Sequence, residues 1–374
     1  MTIAALPYIP KTITVHLGPP SQWAENVTVP FPDYIKNVAS SEIYPTWEPS
    51  ALRANILAIT SFVLNRVFTE FYPSQGYDFQ ITSTTAYDQK FIPNRNIFEN
   101  ISLLVDELFD DYIRRQGFIE PLSAQFCNGT TSTCDGLSQW GSQELAQQGY
   151  SSMDILRRYY GSDIELVTDA PIRDVARSYP GYPLRLGAAG EEVFWLQAGL
   201  DRIARNYPAI PIVPTTGVFD QATEEAVRTF QRIFNLTPDG IVGKATWYKM
   251  LRMYVGVTRL AELASLGHRL YAPSFQFPGT LRQGDSGGSV QILQYMLALL
   301  AEYSETLLPI ATDGSFGPAT AEAVRIFQGQ YGLTPDGIAG PVTWEAIHSR
   351  YQRLYVALQS NQAYQENSQE GATS

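Results

Sequence analysis

One glutamate stands in the segment of the chain that is best suited to acid–base chemistry. Glu42 is followed by Ile43 and Tyr44, and then by Pro45 and Trp47. Apolar and aromatic neighbours can remove water from a carboxyl group and raise its pKa, which a general acid near neutral pH requires. A glutamate in a solvated loop would have the same neighbours, and on these residues alone the solvated loop is the favoured interpretation.

The two cysteines of the chain, Cys127 and Cys134, form a second candidate site. A structural zinc ion usually takes four ligands from cysteine and histidine. The histidines are His16, His268 and His348, none of them near the cysteines in sequence. We therefore predict no metal and no cofactor. Two interpretations remain open, a disulfide in an oxidising compartment or two reduced thiols.

The second half of the chain contains two copies of one sequence. Residues 184–247 align without a gap with residues 281–344, at a constant offset of 97. The segment at 236–241 is identical to the segment at 333–338, and Thr246-Trp247 recurs as Thr343-Trp344. Tethered copies of one module suit a repetitive ligand, because the first contact raises the effective concentration at the second site.

The spacing of apolar residues predicts a small helical module for each copy. In the first copy they recur at helical spacing over 193–200 and again over 223–230, which predicts two helices that each bury one face. Pro238, Asp239 and Gly240 predict a turn after the second helix. A short third helix is expected from Trp247 to about Tyr254. Each copy is thus predicted to be a three-helix module.

The conserved spacing within the two copies resembles the peptidoglycan-binding domain of bacterial wall hydrolases. The shared pattern is G-x-x-V-x-x-L-Q-x-x-L, then D-G-x-F-G-x-x-T-x-x-A-V-x-x-F-Q, then L-x-x-D-G-I-x-G-x-x-T-W. The second copy keeps Asp313 and Gly317 at the ends of its D-G-x-F-G loop, where the first copy has Thr216 and Asp220. Asp220 is expected to cap the second helix, since aspartate is a preferred N-cap residue. This departure predicts that the second copy binds more strongly.

Two motifs mark the N-terminal part of the chain. The first is Glu42 with Pro45 and Trp47, ahead of a predicted long helix. The second is S-Q-W-G at 138–141, ahead of a predicted helix that ends in the pair Tyr159-Tyr160. Over residues 30–162 this combination resembles the stage II sporulation protein D domain, which amidase-enhancer proteins share.

The resemblance implies a lytic transglycosylase that cleaves the glycan strands of peptidoglycan, acting on strands without stem peptides. Glu42 aligns with the catalytic glutamate of that family. One carboxyl group suffices for this reaction, because the C6 hydroxyl of the sugar attacks in place of water and the same group donates and then accepts a proton. Gln139, Tyr87 and Gln89 are the residues implied to bind sugar hydroxyls, with packing or turn roles as the alternative.

Composition and charge limit the classes of function. The chain of 374 residues carries a formal net charge of −11. Nucleic acid is therefore not an expected partner, because binding to it depends on Lys and Arg that neutralise phosphates. We expect no membrane span and recognise no signal peptide in the sequence. The expected location is the bacterial envelope or the spore, reached by an export route that the sequence does not define.

The predicted fold class is α+β, with a mixed N-terminal domain of catalytic type followed by two small three-helix modules. The predicted boundaries are 1–175 for the first domain, 180–255 and 278–355 for the repeats, and 360–374 for a disordered tail. Three functions are compatible with this order: a lytic transglycosylase, a non-catalytic enhancer that recruits an amidase, and a structural spore or envelope protein. Peptidoglycan strands are the expected partner, and Glu42 favours the enzyme.

Overall fold

A computed structural model describes residues 7–268, 279–304, 306–351 and 354. The predicted tail at 360–374 lies outside these residues. The chain divides into two compact units, Met1–Leu270 and Tyr271–Ser374. Buried side chains form three separate hydrophobic cores, one in the N-terminal region (residues 7–178), one in repeat 1 (184–258) and one in repeat 2 (281–351). The α+β class is confirmed, and the domain boundaries stay a prediction.

One long helix forms the centre of the N-terminal region. Helix α2, Pro49–Phe68, begins with a proline, which suits the first helical position because the missing N–H would have no partner there. It is buried from Ala51 to Val67 on nearly all sides, as a core helix is. Four further helices pack against it, namely α1 Phe31–Glu42, α3 Glu99–Leu108, α4 Gln139–Gln147 and α5 Ser152–Tyr160.

Short strands surround these helices. The strand bounds are β1 Ile9–Pro10, β2 Thr12–His16, β3 Asn26–Pro30, β4 Ile81–Thr82, β5 Tyr112–Arg115, β6 Phe126–Cys127, β7 Leu137–Ser138, β8 Ile164–Val167 and β9 Ile172–Arg173. The largest sheet of the described residues has the order β3-β2-β4, in which β2 runs antiparallel to β3 and parallel to β4. The other sheets are two-stranded: β5 pairs with β8 antiparallel, and β6 pairs with β7 and β1 with β9 parallel.

The two repeats have the same three-helix structure. Their helices are α6 Glu191–Ala204, α7 Gln221–Ile233 and α8 Lys244–Thr258, then α9 Gly288–Glu302, α10 Pro318–Gln330 and α11 at 341–351. Isolated β-bridges join Leu184 to Val242 in repeat 1 and Leu281 to Ala339 in repeat 2, again at the offset of 97. The third helix of repeat 1 is longer than predicted, because it begins after Gly243 and buried residues continue beyond Tyr254.

A buried glutamine fastens the loop between the first two helices of each repeat. Gln197 Oε1 accepts a hydrogen bond from the Gly217 N–H at 2.8 Å, and its Nε2 donates to the Val218 carbonyl at 2.8 Å. Gln294 makes the same two bonds in repeat 2, at 2.8 and 2.9 Å. Both side chains are buried, so each satisfies backbone groups that water does not reach.

Of the loop residues that differ between the repeats, Thr216 keeps the role of Asp313, and Asp220 adds a helix cap that Gly317 lacks. Asp313 accepts a hydrogen bond from the buried glutamine at 2.9 Å and from the backbone two residues later at 2.8 Å. Thr216 makes the corresponding contacts in repeat 1 at 3.4 and 3.1 Å. Asp220 caps α7, as predicted, by accepting from the Thr223 N–H at 2.8 Å. The departure from the family pattern therefore leaves the fold of repeat 1 intact.

A second buried glutamine fastens the turn that follows the second helix. Gln231 Oε1 accepts from the Gly240 N–H at 2.8 Å, and its Nε2 donates to Asp239 Oδ1 at 2.9 Å and to the Ile241 carbonyl at 3.0 Å. Gln328 makes the corresponding three bonds in repeat 2, at 2.9, 2.8 and 3.0 Å. Gly240 has a φ of +75°, which glycine adopts without steric cost.

Repeat 1 and the segment that follows it pack against the N-terminal region within the first unit, where Trp247 Nε1 donates to the Ser178 hydroxyl at 2.9 Å. Asn65 Nδ2, on α2, donates to the Leu260 carbonyl at 2.8 Å. Glu120 accepts from the His268 N–H at 2.9 Å. Asn65 and Glu120 are both buried, so these bonds lie inside the unit. No local pattern in the sequence predicts this docking, because it depends on contacts between distant segments.

One helical stretch of the described residues meets the length and composition of a membrane span, which the sequence analysis did not expect. It is Pro49–Gln75, which contains α2, and 89% of its apolar window is buried inside the protein. A core helix of this kind passes the same test of length and composition, so the stretch is weak evidence for a span.

Replacement of Gln231 by Leu is expected to destabilise repeat 1 by about 1–3 kcal/mol, because it leaves the buried Gly240 N–H without a partner. Gln221→Leu is the matched control, since Gln221 is exposed on the same helix. Urea unfolding measures the loss, and hydrogen exchange of the Gly240 amide locates it. Equal stability of the two variants would contradict the role of the buried amide.

Candidate functional site

Glu42 is the last residue of α1, and the chain turns away from the helix directly after it. Ile43 is extended and its N–H bonds back to the Ala39 carbonyl at 3.0 Å. The segment that then leads to α2 contains Tyr44, Pro45 and Trp47. The long helix expected after this segment is present. The glutamate itself lies in α1 and not in the predicted loop, so helical hydrogen bonds fix its backbone.

Two hydrogen bonds hold the Glu42 carboxyl group. The Lys90 backbone N–H donates to Oε1 at 2.9 Å, and Gln139 Nε2 donates to Oε2 at 3.4 Å. Burial raises the pKa of Glu42 above its usual value, while the bonds from Lys90 and Gln139 lower it by less. The net shift of the pKa is upward, so the carboxyl group keeps its proton to a higher pH than an ordinary glutamate does.

A buried ion pair fixes the loop that supplies the Lys90 N–H. Asp88 has no exposed side-chain surface, and its Oδ1 lies 3.0 Å from Arg66 Nε. Its Oδ2 accepts from the Tyr72 hydroxyl at 2.5 Å and from the Thr82 hydroxyl at 2.7 Å. Since Asp88 lies two residues before Lys90, this cluster determines where the Lys90 N–H points.

Gln89, predicted to bind substrate, lies inside the protein. It is fully buried. Its Oε1 accepts from the Tyr34 hydroxyl at 3.0 Å, and its Nε2 donates to the Ile59 carbonyl at 3.0 Å. These bonds connect α1 to α2 and leave the side chain pointing into the core, which disfavours direct contact with a sugar. The geometry gives Gln89 a positioning role, because it anchors the backbone one residue before Lys90.

The S-Q-W-G motif forms the beginning of α4. Ser138 is the N-cap residue, and its hydroxyl accepts from the Gly141 N–H at 3.0 Å. A side chain at Gly141 would place its Cβ about 2.1 Å from the Tyr159 hydroxyl, so a larger residue there requires Tyr159 to move. Farther along α4, Gln143 Oε1 accepts from the Glu48 N–H at 2.8 Å. This bond from Gln143 holds α4 against the segment that follows Glu42.

Three aromatic rings, contributed by both motifs, form a cluster. Trp47 and Trp140 meet edge to face with their ring centroids 5.0 Å apart, and Tyr44 lies 5.5 Å from Trp140. Trp47 is buried, whereas Tyr44 is 55% and Trp140 is 37% exposed. The exposed rings can accept the apolar face of a sugar. The sequence analysis did not single out Trp140, although it stands next to Gln139 in the motif.

The remaining predicted binding residues differ in their accessibility. Gln139 contacts the Glu42 carboxyl group and is itself 3% exposed. Tyr87 is 49% exposed and lies in the turn of the Asp88 loop, where its N–H bonds to the Thr84 carbonyl. The structure thus brings Gln139 to Glu42 and leaves the Tyr87 ring open to solvent. The sugar-binding roles of both stay predictions.

Cys127 and Cys134 are joined in a disulfide, with their Cα atoms 6.1 Å apart. The bridge closes a short loop next to α4, because Cys127 on β6 pairs with Ser138 on β7. Among the residues that the structure describes, no group of three or more His, Cys, Asp or Glu side chains could hold a metal ion. The expectation of no metal and no cofactor stays a prediction.

The two repeats match a known family. Residues 189–250 and 286–347 each match the family described as "Putative peptidoglycan binding domain". Each repeat is a peptidoglycan-binding domain. The two domains make up about a third of the chain and do not include Glu42. The resemblance of the N-terminal region to the stage II sporulation protein D domain therefore stays a prediction.

Two curated relatives and one solved structure share part of the chain. The zinc D-Ala-D-Ala carboxypeptidase of Streptomyces albus G is 47% identical over 74 residues, 20% of this chain and 28% of the relative. The N-acetylmuramoyl-L-alanine amidase CwlM of Mycobacterium tuberculosis is 35% identical over 137 residues, 37% of this chain and 29% of the relative. The SleB N-terminal domain is 30% identical over 21% of this chain and 99% of its own, with a TM-score of 0.18. The chain therefore spans less than a third of these curated relatives.

Alkylation of the unreduced protein is expected to label neither Cys127 nor Cys134, because both sulfur atoms are in the bridge. Reduction before alkylation should add two labels, and this serves as the control. Mass measurement of the intact chain distinguishes the two results. Two labels without reduction would show free thiols and contradict the disulfide.

Proposed function

We propose that this chain binds peptidoglycan and cleaves its glycan strands by lytic transglycosylation, with Glu42 as the only general acid and base. The observation that carries the proposal is the environment of this carboxyl group. It is partly buried, its pKa is raised, and Lys90 and Gln139 hold it. The exposed rings of Tyr44 and Trp140 lie in the same two segments and can position a sugar.

The chemistry needs one carboxyl group that is protonated at the start. Glu42 donates its proton to the glycosidic oxygen as the bond from that oxygen to C1 of the sugar breaks. The C6 hydroxyl of the same sugar then attacks C1, and the Glu42 carboxylate takes the hydroxyl proton. The product carries a 1,6-anhydro ring, and the acid is restored.

The relatives favour a wall-lytic role in the broad sense. The matched curated proteins are named as an amidase and a carboxypeptidase. We place this chain in the bacterial envelope on the strength of its two domains, with a spore role resting only on the N-terminal resemblance. The second candidate function is an amidase enhancer without catalysis of its own, which the match to a named amidase favours. A structural spore or envelope protein is the third.

The variant Glu42→Gln is expected to lose release of anhydro-ended products from denuded glycan strands by roughly a hundred- to ten-thousand-fold, because the amide has no proton to transfer. Folding and wall binding should persist, since the amide keeps the outline of the side chain. Glu48→Gln is the matched control, because Glu48 is exposed six residues later. Mass spectrometry of the soluble products measures the rate.

The pH dependence of the same reaction tests the protonation state of Glu42. The raised pKa means that the acid form persists above the usual range of a glutamate. The rate should therefore fall as the pH rises through that raised value. Undiminished product release by Glu42→Gln would contradict the assignment. Absence of anhydro products from the unaltered protein would favour the enhancer, which an assay of amidase stimulation would then detect.

The tandem arrangement predicts that wall binding depends on both units. A chain that ends at residue 270 keeps the first unit and lacks repeat 2. We expect this chain to sediment with insoluble peptidoglycan more weakly than the full chain, because repeat 2 retains the D-G-x-F-G loop and the second contact becomes intramolecular. Equal sedimentation of the two chains would show that repeat 2 adds nothing to binding.

A further inference from the structure

A cleft of about 780 Å³ lies where the N-terminal region meets repeat 1, inside the first unit. One wall is the segment at 73–78 together with Arg177 and Tyr179. The facing wall is one side of α8, formed by Lys244, Ala245, Tyr248, Lys249 and Arg252. Glu42 and Gln139 do not line it, so it is separate from the candidate catalytic site. Its volume is that of a typical ligand site.

The cleft is positively charged in a chain that is negatively charged overall. Its cations are Arg177, Lys244, Lys249 and Arg252, and Asp78 is the one acid among the described residues that line it. Among the described ion pairs of the chain, none involves these four cations. With a net charge of −11 for the whole chain, this is a local reversal of sign that suits an anionic ligand.

Comparison of the two repeats shows that the fold of the module does not require this charge. Trp247 in α8 has its counterpart in Trp344, and both are buried. The cleft-lining positions have changed instead. The counterparts of Lys244, Tyr248, Lys249 and Arg252 are Pro341, Glu345, Ala346 and Ser349. The basic and aromatic face of α8 therefore belongs to the copy that is docked on the N-terminal region.

Aromatic side chains accompany the cations. Tyr77 and Tyr179 line the cleft on the side of the N-terminal region, and Tyr248 lines it from α8. Burial, and then the nearby Glu70 carboxyl group, raise the pKa of Tyr248 to about 12, so its hydroxyl stays protonated and can donate a hydrogen bond. Rings beside cations suit a ligand that combines sugar rings with carboxylates.

The spacing of the cations indicates an extended ligand. Lys244 and Arg252 are eight residues apart on one helix, which corresponds to about 12 Å. An extended ligand can contact the whole row of cations at once. A glycan strand without peptide stems carries a free lactyl carboxylate on every muramic acid, and therefore presents rings and negative charges in a repeating order.

We propose that this cleft is a second binding site for denuded glycan strands, in which the four cations contact lactyl carboxylates and the tyrosines contact the sugar rings. The inference rests on the proposed function for its substrate. It adds a reason for selectivity, because in a stem-bearing strand the lactyl group is an amide and has no charge at that position. The strand is thereby held by the same compact unit that contains Glu42.

The test uses the full chain with Glu42→Gln, so that binding can be measured without turnover. Lys244→Gln, Lys249→Gln and Arg252→Gln are combined, since glutamine preserves the helix and removes the charge. The matched control combines Arg158→Gln, Arg185→Gln and Arg205→Gln, three exposed arginines outside the cleft. Isothermal titration with denuded glycan oligosaccharides is expected to show about ten-fold weaker binding for the cleft variant, with the control close to the parent.

Two competing probes separate the remaining explanations. Oligosaccharides whose lactyl carboxylates are amidated should bind the parent as weakly as the denuded form binds the cleft variant. Equal binding of the amidated and denuded forms, or of the cleft variant and its parent, would overturn the proposal. Tighter binding of a poly(glycerol phosphate) would assign the cleft to a phosphate polymer instead. Product release by the protein with Glu42 intact is measured separately, so failure of the cleft and failure of the proposed reaction give different results.

Discussion

Buried carboxamides that bond to the backbone of distant loops are the interaction on which this structure depends most. Asn37 pairs in both directions with the backbone of Ile92, at 2.8 and 3.0 Å. Gln89 connects α1 to α2, and Gln231 holds the turn after α7. A backbone group left unpaired inside a protein costs about 1–3 kcal/mol. The loops are therefore fixed by side chains whose amides both donate and accept, and the sites built on these loops take their geometry from them.

The pKa of Glu42 depends on two opposing effects, burial and hydrogen bonding, and these anchored loops determine both. Desolvation raises its pKa, and the two hydrogen bonds act in the opposite direction. More donors at the carboxylate would keep it ionised and remove its use as an acid. Fewer would leave a buried charge unpaired once the proton is given up. The Asp88 cluster and Gln89 together place one backbone N–H at the carboxyl group, which leaves burial as the larger effect.

Sequence reasoning succeeded where one segment determines its own structure and had less success where distant segments meet. The repeat helices and the Asp220 cap follow from spacing and residue type, and the structure confirms them. The resemblance gave Glu42 and Gln139 separate roles, and nothing in either segment indicates that the two side chains meet. Glutamine occurs both at the surface and in the core, because neighbouring groups can satisfy its amide when it is buried. Its residue type therefore did not reveal that Gln89 lies in the core. Docking of the segment after repeat 1 involves Asn65 and Glu120, polar residues whose burial no local pattern indicates.

The duplicated module shows how a fixed core allows two copies to acquire different surfaces. The buried glutamines and the tryptophan of the third helix are the same in both copies. Replacing a glutamine would remove the hydrogen bonds that hold a loop, and replacing the tryptophan would leave a cavity. Exposed positions carry no such constraint, and there the copies differ, as Lys244 and Pro341 do. Repeat 1 belongs to one compact unit with the N-terminal region, so the geometry between its surface and Glu42 is set by folding and not by a linker. A strand bound to that surface would meet the carboxyl group in one orientation, which tethering alone cannot provide.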